Sequence, residues 1–271
     1  MKGIDQMKKN KISVCFCCFI LCAVFVISAY ATPEPDAYGW YVIRNSEHKQ
    51  PQLEPHMSFI ESHGAYYIDR AHGDDCDDKV VYLTFDAGYE NGNVSKILDT
   101  LKAEGVHGAF FVLNNLITNA NELVKRMIDE GHTVCNHSVR HKDMSTLTKE
   151  EFTAELLELE EIYSEHIGGE LSKYFRPPEG RFTEENLDWA HALGYNTIFW
   201  SFAYADWDNN KQPSIEAAKE KILSNVHNGA IILLHPTSAT NAEILKSVIG
   251  ELKAQGYRFG TLDELCGKAA G

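Results

Sequence analysis

The pattern of apolar and polar positions divides the chain into an apolar run, an irregular stretch and a long alternating body. From Ile12 to Ala31 no residue is charged. Residues 32 to 78 carry Pro33, Pro35, Pro51 and Pro55 and little periodicity, and predict a surface extension leading into the body. From Lys79 the pattern becomes regular. Val80 to Phe85 is a short β-branched and aromatic run, a predicted strand that ends in Asp86-Ala87-Gly88. The spacing of Val94, Ile97, Leu98 and Leu101 predicts a helix over 93–104 that stops at Gly105. The same reading places strands at 109–113, 132–136, 174–175, 196–201, 230–234 and 257–259, and helices at 122–130, 184–193 and 242–254. Thr148 and Glu151 form a capping-box pair before Phe152, Leu156, Leu159 and Tyr163. Pro213 stands at the predicted start of a helix running to Val226. The Glu-rich stretch from Glu155 to Glu165 reads as a solvated helix face.

About seven strand–helix alternations in roughly 190 residues imply parallel strands and an α/β fold. That number suggests an incomplete (β/α)7 barrel rather than a doubly wound sheet. No G-x-G-x-x-G or G-x-x-x-x-G-K motif is present, which argues against a nucleotide site.

The first thirty residues read as an address. Lys2, Lys8, Lys9 and Lys11 precede the apolar run, and Ala29-Tyr30-Ala31 closes it. A basic start, an apolar core and a small-x-small site describe an export signal. The run is also about the 20 residues that span a bilayer, so an uncleaved anchor is the alternative. In either case the lysines put the remainder outside the cytoplasm, with membrane contact only through this segment.

Composition changes two points. The chain has 25 basic and 39 acidic residues, a net charge of −14. Cleavage after Ala31 would remove four lysines and one aspartate and leave the body at −17. A field of that sign disfavours a nucleic-acid partner. Four of the seven cysteines lie in the apolar run, and Cys76, Cys135 and Cys266 are too few and too scattered for a disulfide framework. The Asp74-Asp75-Cys76-Asp77-Asp78 cluster fits no EF-hand loop and reads as a solvated turn.

The candidate chemistry gathers where strands end. Asp86 follows the first strand, His137 and His141 the third, Arg176 the fourth, Asp206-Trp207 the fifth and His235 the sixth. In a barrel these ends converge on the face that carries the reacting groups. His137 and His141, spaced H-x3-H, can face one ion from a helical or tight turn, and two ordinary histidines give the same pattern. Asp86 could take a proton from an activated water, or bind metal itself. His235, delivered by Ile231-Ile232-Leu233-Leu234 and followed by Pro236, could protonate a leaving amine. Arg176 in Arg176-Pro177-Pro178 could orient Asp86 or grip an anionic substrate. Asp206 offers a supporting carboxylate and Trp207 an aromatic wall.

Taken together, Thr84-Phe85-Asp86, His137-Ser138-x-x-His141, Arg176-Pro177-Pro178, Asp206-Trp207 and Leu234-His235 resemble, in order, the five motif regions of the polysaccharide deacetylase family with the NodB homology domain, carbohydrate esterase family 4. The resemblance covers residues 79–266. Tyr82 to Gly92, Tyr174 to Pro178, Phe199-Trp200-Ser201 and Asn241-Ala242-Glu243 further resemble its PdaA-type branch, the N-acetylmuramic acid deacetylases that prepare muramic δ-lactam in spore cortex. The resemblance implies a distorted (β/α) barrel, with Asp86 as base, His235 as acid, and His137 and His141 as ligands of a divalent metal. Two histidines favour Zn2+, while Co2+, Mn2+ or Ni2+ could serve. It makes Arg176 the holder of Asp86 and Trp207 a wall of the substrate groove, with Pro177, Asp206 and Leu234 in that groove or in the layer behind it. The implied partner is a peptidoglycan glycan strand stripped of its stem peptide. Arg176 could also grip the lactyl carboxylate of such a strand.

Two positions depart from the family pattern. Ala87 stands where a second, metal-binding Asp is usual, and Ala203 aligns with an Asp that polarises the acid His. The rivals are a deacetylase acting on N-acetylglucosamine in peptidoglycan or chitin, and a wall-binding protein without catalysis.

Overall fold

The computed structural model describes residues 37–267. The export or anchor segment predicted at 1–31 lies outside the described residues. Among them, no helix is long and apolar enough to cross a membrane.

The body is a curled parallel sheet wrapped by helices. Its strands are β1 (Tyr38–Gly39), β2 (Ala65–Tyr66), β3 (Lys79–Ala87), β4 (Ala109–Val112), β5 (Thr133–Asn136), β6 (Tyr174–Phe175), β7 (Arg181–Phe182), β8 (Asn196–Ile198), β9 (Ala230–Leu234) and β10 (Tyr257–Phe259). The helices are α1 (Val94–Glu104), α2 (Asn114–Asn119), α3 (Asn121–Asp129), α4 (Lys149–His166), α5 (Glu184–Ala192), α6 (Ile215–Leu223), α7 (Ala239–Ala254) and α8 (Leu262–Leu265). β3 pairs with β10 through Lys79–Val81, with β9 through Val81–Phe85 and with β4 through Thr84–Ala87. Successive carbonyls of a strand point to opposite edges. Val80 O accepts from Gly229, whereas Val81 O and Ala87 O accept from Gly260 and Leu113. β9 therefore takes one edge of β3, and β10 and β4 share the other. From β4 the sheet continues through β5, β6 and β8. The chain leaving β8 then meets β9, where Ser201 and Phe202 N–H donate to Ile231 O and Leu233 N–H to Phe202 O. The result is the incomplete barrel expected from the alternation.

Side-chain alternation sorts the residues into two layers. Val81, Leu83, Phe85 and Ala87 of β3 pack outward against Ile97, Leu98 and Val248 of the helix layer. Val80 and Tyr82 face the interior with Phe111, Cys135, Tyr174 and Ile231. The same period carries Asp86, His137, Arg176 and His235 to the inner face at the strand ends. The register aligns those ends, with Asp86 opposite Phe111, Val112 opposite Asn136 and Asn136 opposite Phe175.

Residues 37–78 differ from the surface extension expected of them. β2 joins the sheet beside β8, and β1 pairs antiparallel with β7. Trp40, Met57, Ile60, Tyr67 and Ile68 are buried with Phe182, Leu187 and Phe199 in one apolar cluster. Trp40 stacks on Phe199 at 4.2 Å, and its Nε1–H donates to Trp200 O. Aromatic and aliphatic residues without period can still fill a gap in a core, a property that alternation counts do not register. Helix boundaries are set by caps. Thr148 and Glu151 form the expected capping box on α4. α6 begins at Ile215 under Ser214, whose hydroxyl accepts from Ala217 N–H, so Pro213 lies before the helix rather than in it.

Candidate active site

A cavity of about 590 Å³ opens at the C-terminal ends of the strands. Asp86, His137, His141, Trp207 and His235 line it, as their positions in the sequence anticipate.

Asp86 is fixed from below. Arg176, fully buried, donates from Nη1 to Asp86 Oδ1 at 2.8 Å. Its other donors go to Ile198 O, Thr84 Oγ1 and Phe199 O, at 2.8, 2.9 and 3.2 Å. The guanidinium also lies 4.1 Å from the Phe111 ring centroid, a cation–π contact. Arg176 is fully buried behind the cavity and does not line it, so of its two expected roles the structure keeps only the orientation of Asp86. Burial works against the Asp86 charge, but Arg176, His137 and His235 outweigh it and hold the carboxyl below its ordinary range.

His137 N–H donates to Val112 O, and its ring Nδ1 lies 2.8 Å from Arg176 O. A carbonyl only accepts, so Nδ1 carries the proton and Nε2 presents its lone pair. That nitrogen stands 3.6 Å from Asp86 Oδ2. Burial pushes the imidazole down to about 4, which keeps it in the neutral, ligating form. His141 follows in a tight turn rather than a helix, with Ser138 at φ 68° and His141 at φ 55°. The two rings meet edge-on at 5.1 Å between centroids. Two imidazoles beside a carboxylate suit a divalent ion. Ala87, buried in the outer apolar cluster, supplies no ligand. Among the described residues no three His, Cys, Asp or Glu side chains converge on one ion, so water or substrate would complete the shell.

His235 is oriented by Asp206. Asp206 Oδ1 accepts from His235 Nδ1 at 2.7 Å and Oδ2 from His235 N–H at 2.9 Å. Asn241 Nδ2 donates to the same carboxylate at 2.6 Å, and Tyr204 bonds Asn241 Oδ1. Burial lowers the His235 pKa, yet Asp206, with Asp86 beyond it, raises it overall. The carboxylate on the His235 ring is thus Asp206, and Ala203, which lines the cavity, does not bear on it.

Pro177 and Leu234, expected in or behind the groove, do not line the cavity. Leu234 is outward in the core, and Leu233, one residue earlier on the inner face of β9, lines the cavity. Pro177 is buried at the start of a 3-10 turn, and Glu179 beyond it reaches the cavity rim. Thr84, Trp200 and Asn241 stand in the matched motifs and Leu233 in the strand before His235, yet the sequence assigns none of them a part in the site. The inner-face period of β3 and β9 was the available signal for Thr84 and Leu233. Glu155 is a further correction: it is buried rather than solvated. Among the described residues no lysine or arginine lines the cavity, and Tyr89, Leu113, Trp200 and Tyr204 give it aromatic and apolar walls.

A buried carboxylate, two adjacent imidazoles and a carboxylate-held histidine at the mouth of a curled parallel sheet form a set that can activate water and protonate a leaving group, the chemistry of a hydrolase. A family model described as polysaccharide deacetylase matches residues 73–198. The chain is 39% identical over 254 residues to the Bacillus subtilis (strain 168) peptidoglycan-N-acetylmuramic acid deacetylase PdaA, covering 93% of this chain and 94% of that one. The solved structure of B. subtilis PdaA, a family 4 carbohydrate esterase, superposes with a TM-score of 0.79 over 85% of this chain and 97% of that one, at 39% identity. A Bacillus anthracis family 4 esterase gives a TM-score of 0.69 at 34% identity, over 85% of this chain and 96% of that one. A Bacillus cereus peptidoglycan-N-acetylglucosamine deacetylase is 32% identical over 68% of this chain and 67% of that one. The chain belongs to the polysaccharide deacetylases, the family 4 carbohydrate esterases.

Proposed function

We propose that the protein is a metal-dependent peptidoglycan N-deacetylase that removes acetyl from N-acetylmuramic acid, a step toward muramic δ-lactam in spore cortex. The observation that carries this reading is the 39% identity to PdaA over 94% of that protein's length. The match to the N-acetylglucosamine deacetylase is weaker and shorter, and supports the second reading, hydrolysis at glucosamine.

His137 and His141 would hold the ion, with Zn2+ the first choice. The chemistry an ion supplies there is polarisation of the acetamide carbonyl and acidification of a neighbouring water. Asp86, kept anionic by Arg176, takes the proton of the attacking water. The water oxygen bonds the carbonyl carbon, and the C–N bond breaks as His235 gives its proton to the amine nitrogen. Acetate and a free amine leave. Leu233 beside the site suits the acetyl methyl group, and Trp207, 60% exposed, offers a face to a sugar ring. The body is read as exported, since its substrate lies in the wall, with the membrane touched only through the N-terminal segment. The complete base, acid and histidine pair argue against a merely wall-binding role.

The test is acetate release from a peptide-stripped glycan strand, with and without chelation and metal return, followed by identification of the new amino sugar by mass spectrometry. Muramic acid is the expected product. Glucosamine would replace this reading with the second, and no metal-dependent acetate release from any glycan would overturn both.

A further inference from the structure

The turn that carries the two histidines is held through every one of its backbone donors. His137 N–H donates to Val112 O, and Ser138 N–H to Asn136 Oδ1 at 2.9 Å. Val139 and Arg140 N–H both donate to one oxygen, Glu155 Oε2, at 3.1 and 2.9 Å. His141 N–H closes the set on Ser138 Oγ at 3.1 Å. Glu155 comes from the middle of α4, eighteen positions beyond His137 in sequence and outside all five motif regions. Its side chain is 2% exposed, and Arg140 Nη1 and Lys142 Nζ balance its charge at 3.0 and 3.3 Å.

This loop needs such a hold. Ser138 and His141 both adopt left-handed backbone conformations without being glycine. Residues keep such conformations only where their surroundings over-determine them. With Ala87 in place of a third protein ligand, ion affinity rests on how well two imidazoles are placed before the ion arrives.

We propose that Glu155 is a positioning residue for the ion site: by binding the Val139 and Arg140 N–H groups it fixes the separation and orientation of the His137 and His141 rings. The inference rests on the reading of those histidines as the metal pair.

Metal-free protein would be titrated with Co2+ by calorimetry, and the visible absorption of the bound Co2+ recorded. Glu155→Ala is expected to weaken Co2+ binding about 10–100-fold, the range of outer-sphere ligand supports, and to change the absorption band while the far-ultraviolet circular dichroism is retained. Glu158→Ala removes only the surface partner of Arg140 Nη2 and is expected to bind as wild type. If Glu155→Ala fails to fold, Glu155→Asp keeps the charge but shortens the reach, and the same loss is expected of it. Binding within twofold of wild type in the Glu155 variant, or an equal loss in Glu158→Ala, overturns the proposal alone. A wild-type protein that binds no Co2+ overturns it together with the metal reading of the histidine pair.

Discussion

Arg176 and Asp86 form an ion pair in the cavity floor, Nη1 to Oδ1 at 2.8 Å, with the arginine fully buried and the carboxylate 10% exposed. A pair of this kind is costly to break from one side, because the remaining charge stays in a poorly solvated place. Arg176→Ala is expected to destabilise the fold by about 3–5 kcal/mol, read by urea unfolding, and to abolish acetate release. Arg176→Lys should restore part of the stability and little of the activity, since one ammonium cannot reach the four acceptors that the guanidinium serves. Full activity in Arg176→Lys would contradict this account of Asp86.

In the proposed mechanism His235 works protonated, and its pKa is raised above the ordinary 6.5, so the rate should persist above that pH and fall as pH rises through the elevated value. Asp206→Asn removes the carboxylate that offsets burial. The alkaline limb of kcat/KM should then move to lower pH, and kcat fall by about 10²–10⁴. An unmoved limb would show that another group sets it.

His137→Ala would remove one of the two proposed nitrogen ligands. Acetate release is expected to fall by about three orders of magnitude, as the loss of several kcal/mol of Lewis-acid stabilisation implies. Chelation of the wild type should give the same loss, reversed by adding Zn2+ or Co2+.

Trp207 is 60% exposed and its ring lies 6.1 Å from that of His235. Trp207→Ala should leave the melting temperature unchanged and raise KM for glycan oligomers about three- to tenfold, the worth of one ring contact of about 0.5–1.5 kcal/mol. A change in kcat alone would place the indole in the reaction rather than in binding.

Ile60 lies in the N-terminal segment, fully buried beside Met57 and Phe182. Ile60→Ala is expected to lower unfolding free energy by about 2–5 kcal/mol, measured by denaturant titration. A neutral result would return residues 37–78 to the surface.

The sequence by itself determined the alternation of strands and helices, the strand ends where Asp86, His137 and His235 stand, and the family. Those are periodic or local properties, and period and spacing survive in one dimension. It also placed Thr148 and Glu151 as a cap, because a capping box is a four-residue event. Only the tertiary structure decided the partners. In sequence Arg176 could face Asp86 or a substrate; in the fold it is fully buried, bonded to Ile198, Thr84, Phe199 and Asp86. Asp206, not position 203, reaches His235 because the chain after β8 runs parallel beside β9. Glu155 reads as one more charge on a solvated helix until α4 turns it beneath the histidine loop. Hydrogen-bond partners distant in sequence depend on how elements pack, and a single chain of letters carries no record of which side of a helix or strand meets which neighbour.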